Sequence, residues 1–229
     1  MTDPASNLPN RTHANEYSHR YMLGLYRILD TITTLFPEVL FENCSSGGGR
    51  LDPGMLYFMP QTWASDNTDG LDRQRIQYGA SYLFPPYSLT GHVSSVPNHQ
   101  TGRVIDFETR KHLASSTNMG YEMDIMQLSD HEKAVVKAHI EGYKEDRDFL
   151  MPSEFYRLES PFDTNHCTWM FTDEARNKII VYLFRNTYDV SELSFLIKIP
   201  FIDLKANYVE VNSQTQYSGS ELANCGIAL

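Results

Sequence analysis

Two aspartates in one short polar segment are the first candidates for proton-transfer chemistry in this chain. Residues 63–69 read Trp-Ala-Ser-Asp-Asn-Thr-Asp, so Asp66 follows the indole of Trp63 closely along the chain and Asp69 comes next. A partly apolar environment raises the pKa of a carboxyl group toward neutrality, which suits a general acid. An aspartate at this place can equally be the N-cap of a following helix. Both interpretations hold if one of the two carboxylates is the general acid and the other is the N-cap.

A glycine-rich loop, residues 44–50 (Cys-Ser-Ser-Gly-Gly-Gly-Arg), is the second candidate. It is either a tight turn or a place where a ligand approaches the backbone closely, because glycine has no side chain to block the approach. No Lys-Ser or Lys-Thr pair follows, as a phosphate-binding loop requires, and the serines do not form a nucleophile elbow. Cys44 fits a small polarisable wall for a ligand better than a reactive thiol.

The composition excludes several other classes of function. The 229 residues carry 19 Lys and Arg against 29 Asp and Glu, and the resulting net charge of −10 repels nucleic acid and anionic membranes. His92, His99 and His166 have no recognised metal-ligand spacing, so we predict neither a metal nor a cofactor. Three widely spaced cysteines, no secretory leader and no membrane segment predict a soluble, cytoplasmic protein.

The two candidate loops must be positioned by the strands that precede them. Residues 39–41 and 61–64 are short apolar segments that predict strands, and apolar residues recur at helical spacing over residues 15–35. Strands that alternate with helices are typical of a parallel sheet or barrel. Both loops would then lie at the carboxyl ends of strands, which is the active-site face of a (β/α)8 barrel.

Further strands and helices are predicted up to about residue 150. Residues 81–84 and 121–124 predict strands, with a long loop rich in Pro, Gly and Ser over residues 85–101. Residues 129–132 (Ser-Asp-His-Glu) predict a capping box at the start of a long helix. Only about four strand-helix units fit, so the pattern predicts either an open sheet or half of a barrel.

The residue pattern changes near residue 150, from alternating strands and helices to strands alone. Four β-branched and aromatic segments separated by turn residues predict an antiparallel sandwich: 154–158, 167–171, 178–184 and 208–211. We therefore predict two domains, residues 1–150 and residues 151–229.

These segments also resemble a known family. Residues 41–57 and 59–69 are closely similar to the α-galactosidases of glycoside hydrolase family 36, and shorter matches extend the resemblance over nearly the whole chain: 76–79, 91–94, 120–124, 155–158 and 217–222. The resemblance implies a retaining glycosidase of α/β fold. It further implies the C-terminal half of a (β/α)8 TIM barrel, followed by an antiparallel β-sandwich domain that is incomplete at its end.

The resemblance implies roles for individual residues. Asp66, the first aspartate of the Ser-Asp-Asn-Thr-Asp motif, corresponds to the acid/base, while Cys44 and Gly47 correspond to galactose-binding residues. To these we add Trp63 and Gly48 as residues that face the sugar.

The family's nucleophilic aspartate lies in a Lys-Trp-Asp-Met-Asn-Arg motif that is absent here and would end just before Met1. One carboxyl group without the other predicts almost no turnover by this chain alone. The expected reaction is release of terminal α-linked galactose from melibiose- or raffinose-type oligosaccharides. Galactosyl transfer and a non-catalytic split or truncated module that needs the missing half are the alternatives. The parent enzyme is expected to be a homo-oligomer.

Overall fold

A computed structural model describes residues 14–188, 190 and 195–228 of the chain. These residues fall into two compact units, one that ends at Trp63 and one that begins at Ala64. Within this described part of the chain, no helix combines the length and the apolar character needed to cross a bilayer.

The first unit contains two helices and a pair of very short strands. In chain order these are helix α1 (Ala14–Leu35), strand β1 (Glu42–Asn43), helix α2 (Pro53–Phe58) and strand β2 (Gln61–Thr62). The rings of Tyr26 in α1 and Phe58 in α2 lie 5.6 Å apart, which joins the two helices. The strands pair in parallel. Because parallel strands share an edge for their carboxyl ends, Cys44 and Trp63 follow β1 and β2 at the same edge.

The second unit begins with alternating helices and strands. The elements are helix α3 (Gly70–Ala80), strand β3 (Thr90–Ser94), helix α4 (Phe107–Ser115), strand β4 (Asn118–Glu122) and helix α5 (Asp130–Leu150), with short 3-10 helices at Pro86–Ser88 and Ile125–Gln127. β3 and β4 pair in parallel, from Thr90 with Asn118 to Ser94 with Glu122. Helix α4 crosses between them, as in a strand-helix-strand unit.

Helix α5 begins at the capping box that the sequence predicts. The side chain of Ser129 accepts a hydrogen bond from the N–H of Glu132 at 3.3 Å. In return, the carboxylate of Glu132 accepts one from the N–H of Ser129 at 2.8 Å. These reciprocal bonds satisfy two N–H groups that no helical carbonyl can reach, so the prediction is confirmed.

Three predicted strands are misplaced, and one of them, predicted at residues 121–124, begins three residues earlier as β4. Residues 81–84 form a turn, because the N–H groups of Ser81 and Phe84 donate back to the carbonyls of Gln77 and Ala80 in the preceding helix. The strand of this region is β3, inside the segment predicted as a loop, and its sequence (Thr-Gly-His-Val-Ser) has no apolar run to mark it. The strand predicted at residues 39–41 lies slightly later, as β1.

Antiparallel strands dominate beyond residue 150. They are β5 (Glu154–Glu159), β6 (His166–Thr172), β7 (Ile179–Arg185), β8 (Leu196–Ile197), β9 (Asn207–Val209), β10 (Gln216–Ser218) and, after helix α6 (Gly219–Asn224), β11 (Ile227–Ala228). β5, β6 and β7 form one antiparallel sheet. Successive side chains of β6 point to opposite faces: Trp169 packs in a cluster with Leu113, whereas Met170 packs in another with Phe195 and Ile197. The sheet is therefore buried on both faces.

Candidate active site

Asp66 is the accessible residue of the segment between β2 and α3. Among residues 62–70 it alone is exposed, and it lies on a bend of the backbone. Thr68 and Asp69, just beyond it, are only 5% and 1% exposed. An exposed carboxyl group on a bend between half-buried neighbours is well placed to meet a ligand.

Asp69 has a different role, as the N-cap of α3. Its side chain accepts hydrogen bonds from the N–H groups of Leu71 and Asp72. Thr101 Oγ1 and the guanidinium of Arg103 each donate to the same carboxylate at 2.7 Å. Burial favours the neutral acid, but these hydrogen bonds outweigh it and hold the pKa of Asp69 below its usual value. Asp69 is thus a fixed anion near neutral pH and carries no proton to donate.

The residues on both sides of Asp66 are anchored. Before it, the carbonyl of Ser65 accepts a hydrogen bond from Arg73 at 3.2 Å. After it, the amide of Asn67 donates to Asp72 at 2.8 Å, and its oxygen accepts from the N–H of Asp69 at 3.0 Å. The backbone that presents Asp66 is therefore fixed to the first turn of α3 from two directions.

Arg73 is the buried cation that makes one of these anchors. It is 4% exposed, and a second nitrogen donates to the carbonyl of Thr90 in β3 at 2.5 Å. Burial lowers the pKa of Arg73 to about 10, with the charge of Glu122 opposing the shift, so the side chain stays charged near neutral pH. Sequence reasoning missed Arg73, because an arginine on a helix is usually a solvated side chain.

The glycine-rich loop after β1 needs glycine at two positions. The backbone φ angles are 66° at Gly47 and 98° at Gly48, a region that side-chain-bearing residues rarely adopt. The side chain of Asn43 closes the loop by donating to the carbonyl of Arg50 at 2.6 Å. Cys44 is exposed at its start. The loop therefore presents backbone and a small thiol, with no bulky side chain at the two glycines.

Trp63 joins this loop at the edge of the β1–β2 pair. Its N–H donates to the carbonyl of Asn43 at 2.8 Å, which continues the strand pairing by one residue. The Trp63 side chain is buried, with the residue 9% exposed. The backbone of Trp63 is therefore paired with the residue that precedes Cys44, at the start of the loop that contains Gly47 and Gly48.

The histidines considered as metal ligands lie apart. His92 faces Glu122 across the β3–β4 pair, with Nδ1 and Oε2 at 3.6 Å, and His166 pairs with Glu159 at 3.2 Å. In the part of the chain that the structure describes, no three His, Cys, Asp or Glu side chains converge to hold a metal ion.

Two family models match the chain. One is described as Melibiase and matches residues 1–153. The other is described as the Glycosyl hydrolase family 36 C-terminal domain and matches residues 166–229.

Curated relatives include two bacterial α-galactosidases. Alpha-galactosidase AgaA of Geobacillus stearothermophilus is 45% identical over 100% of this chain and 31% of its own length. Alpha-galactosidase 1 of Pediococcus pentosaceus is 43% identical over 92% of this chain and 29% of its own length. The chain thus spans less than a third of these relatives.

Solved structures agree in fold. A variant of AgaA in complex with raffinose superposes with a TM-score of 0.92 at 46% identity, over 98% of this chain and 31% of that one. This match confirms the expected fold class, part of a (β/α)8 barrel followed by an antiparallel β domain. Together with the family models, it shows that the chain belongs to the Melibiase family, within glycoside hydrolase family 36.

Proposed function

We propose that this chain supplies the acid/base and part of the galactose pocket of a retaining α-galactosidase, with Asp66 as the acid/base. The observation that carries the proposal is the contrast between two nearby carboxyl groups. Asp69 is buried and held as an anion, whereas Asp66 is exposed on an anchored bend. Of the two, Asp66 is the one that a glycosidic oxygen can reach.

The mechanism requires two carboxyl groups about 5–5.5 Å apart. In the first step a carboxylate nucleophile bonds to the anomeric carbon, the glycosidic C–O bond breaks, and Asp66 gives its proton to the departing oxygen. In the second step Asp66, now ionised, takes a proton from water while the water oxygen bonds to the anomeric carbon. The nucleophile is released and Asp66 is again a carboxylic acid.

A terminal α-linked galactose is the group that we infer the site binds. The support is twofold: AgaA, a close relative, is an α-galactosidase solved with raffinose, and the loop of Gly47 and Gly48 leaves room for a sugar to touch the backbone. Cys44 and Trp63, at the same strand edge, would contribute the other walls. Raffinose-type oligosaccharides are accordingly the proposed substrates.

We also assign residues 1–150 to the barrel and residues 151–229 to the β domain. The assignment is supported by β5, which begins at Glu154, and by the change of family model between residues 153 and 166. We further propose that the whole enzyme is cytoplasmic and homo-oligomeric and acts in carbohydrate metabolism. Three cysteines without a disulfide are compatible with a reducing compartment.

An aryl α-galactoside tests this function. The nucleophile motif does not occur in the 229 residues, so we expect the purified chain alone to show no hydrolysis of 4-nitrophenyl α-galactoside. Mixed or co-expressed with the part of AgaA that precedes the matched region, the chain should hydrolyse it. Asp66→Asn in the mixture should lower the rate by about 10²–10⁴-fold, the usual contribution of general acid-base catalysis.

Asp163→Asn is the matched control, because Asp163 is an exposed aspartate of the β domain. It should leave the rate unchanged. Hydrolysis that survives Asp66→Asn undiminished would refute the role of Asp66. Full hydrolysis by the isolated chain would refute the claim that this chain contains the acid/base but lacks the nucleophile.

A further inference from the structure

A compact turn at residues 98–103 contacts the segment that carries Asp66. The N–H of Asn98 donates to the carbonyl of Arg103, and that of Gly102 to the carbonyl of Asn98, both at 2.8 Å. The side-chain oxygen of Asn98 accepts from the N–H groups of Gln100 and Thr101 at 3.0 Å. Asn98 is 5% exposed. The turn is thus closed by its own hydrogen bonds around a buried amide.

Three side chains of this turn reach the residues just after Asp66. The amide of Asn98 donates to Thr68 Oγ1 at 3.1 Å. Thr101 Oγ1 and Arg103 each donate to the carboxylate of Asp69 at 2.7 Å. All three contacts thus fall two or three residues beyond Asp66.

These contacts exceed what a helix cap needs. Asp69 already caps α3 through its bonds to two backbone N–H groups, and a cap of this kind is complete without an arginine. Asp106 illustrates this at the start of α4, where the cap is made with Thr109 alone. The turn must therefore serve something other than helix initiation.

The charge distribution favours a rigid contact. The side chain of Asp69 is 0% exposed, so its carboxylate depends on protein donors for its stabilisation. Arg103 also donates to Asp72 at 3.1 Å, and Asp72 in turn accepts from Asn67, the residue after Asp66. Arg103 therefore ties together both groups that fix the backbone beyond Asp66.

We propose that Asn98, Thr101 and Arg103 are positioning residues for Asp66. They act through Thr68, Asp69 and Asp72, which fix the bend on which the acid/base is presented. A catalytic group must be held close to its productive geometry, and anchored neighbours provide this. This role rests on the proposed function, because it gives the turn a task in general acid-base catalysis.

Amide hydrogen exchange of the 229-residue chain tests the contact without any need for activity. Arg103→Met should speed exchange at the hydrogen-bonded N–H groups of Asn67 and Asp69 at least about tenfold, because it removes hydrogen bonds to two carboxylates. Arg103→Lys, which keeps a cation, should restore most of the protection. Arg75→Met is the matched control, because Arg75 lies within α3 but donates to the carbonyl of Pro161, away from Asp69 and Asp72.

Kinetics distinguishes positioning from general stability. In the mixture with the preceding part of AgaA, Arg103→Met should lower kcat about tenfold while KM stays within about twofold, and Arg103→Lys should recover the rate. Thr101→Val removes one donor with little change of shape, so it supplies the same comparison if Arg103→Met does not fold.

Two results would overturn the proposal. Exchange at Asn67 and Asp69 that is unchanged by Arg103→Met, or raised equally throughout the chain, would show that the turn is only a structural element. An unchanged kcat in an active mixture would do the same. A mixture with no activity even for the unsubstituted chain would instead refute the proposed function. Hydrogen exchange alone would then decide whether the turn at residues 98–103 fixes the residues after Asp66.

Discussion

The guanidinium of Arg103 lies 2.7 Å from the fully buried carboxylate of Asp69, whereas its own side chain is 42% exposed. A buried anion is thus neutralised by a cation that approaches from the surface. Asp69 lies three residues beyond Asp66, and its pairing with Arg103 explains why two aspartates of one motif have such different surroundings. Removal of one partner leaves the other with an unsatisfied charge, which is costly when that charge is buried.

Asp69→Ala is therefore expected to destabilise the chain strongly. The substitution removes a helix cap and two hydrogen bonds to a charged group, so we expect a combined loss of about 4 kcal/mol in the free energy of unfolding. Asp106→Ala at the exposed cap of α4 should cost about 1 kcal/mol. Urea denaturation of the two variants measures both values, and equal losses would contradict the special role of the Asp69 carboxylate.

His139 should make stability depend on pH. Its Nε2 lies 2.7 Å from Ser115 Oγ and its Nδ1 lies 2.5 Å from the hydroxyl of Tyr121. Burial, together with the nearby charges of Lys111 and His112, lowers the pKa of His139 to about 4. The unfolded chain, with a histidine pKa of about 6.5, binds more protons between these values. Stability should therefore fall as the pH falls from about 6.5 to about 4.

Chemical denaturation at several pH values checks this dependence. His139→Gln removes the titrating ring and should make the decline between about pH 6.5 and about pH 4 shallower. His99→Gln, at an exposed position, should leave the decline as it is. An identical slope for His139→Gln and the unsubstituted chain would show that another group causes the pH dependence.

Any side chain at Gly48 should destabilise the fold. Its φ of 98° is strained for any other residue, so Gly48→Ala should lower the free energy of unfolding by about 1–3 kcal/mol. Gly24→Ala, in α1 with open space around it, should instead be stabilising by about 0.5–1 kcal/mol. Urea denaturation compares the two, and a neutral Gly48→Ala would argue against the left-handed loop conformation.

The parts of the molecule that local patterns specify were predictable from the sequence. The capping box of α5 follows from Ser129 and Glu132, which lie three residues apart. Strands β5, β6, β7 and β9 follow from β-branched and aromatic segments that turn residues separate. β3 was missed because its five residues include only one large apolar side chain, Val93, and its burial comes from packing against α4. Such tertiary burial leaves no periodic signal.

In the candidate site, too, some residues were predictable from local patterns and others only from three-dimensional contacts. The motif alone left open which aspartate caps α3, and only the three-dimensional contacts identify Asp69 as the cap. Arg73 and Arg103 were unpredictable, because Arg103 lies 34 residues from its partner Asp69 along the chain. No spacing rule connects residues that far apart. The role of Asp66 itself stays a prediction that chemistry must test.

Azide rescue is the most direct test of Asp66 as the acid/base. In the mixture with the preceding part of AgaA, Asp66→Ala can no longer activate water, but azide needs no deprotonation to attack the galactosyl intermediate. We expect that added azide restores release of 4-nitrophenol and that NMR identifies the product as α-galactosyl azide, because azide attacks the β-galactosyl intermediate from the side that water would use. A rate unaffected by Asp66→Ala, or an impaired rate that azide does not raise, would contradict the role of Asp66.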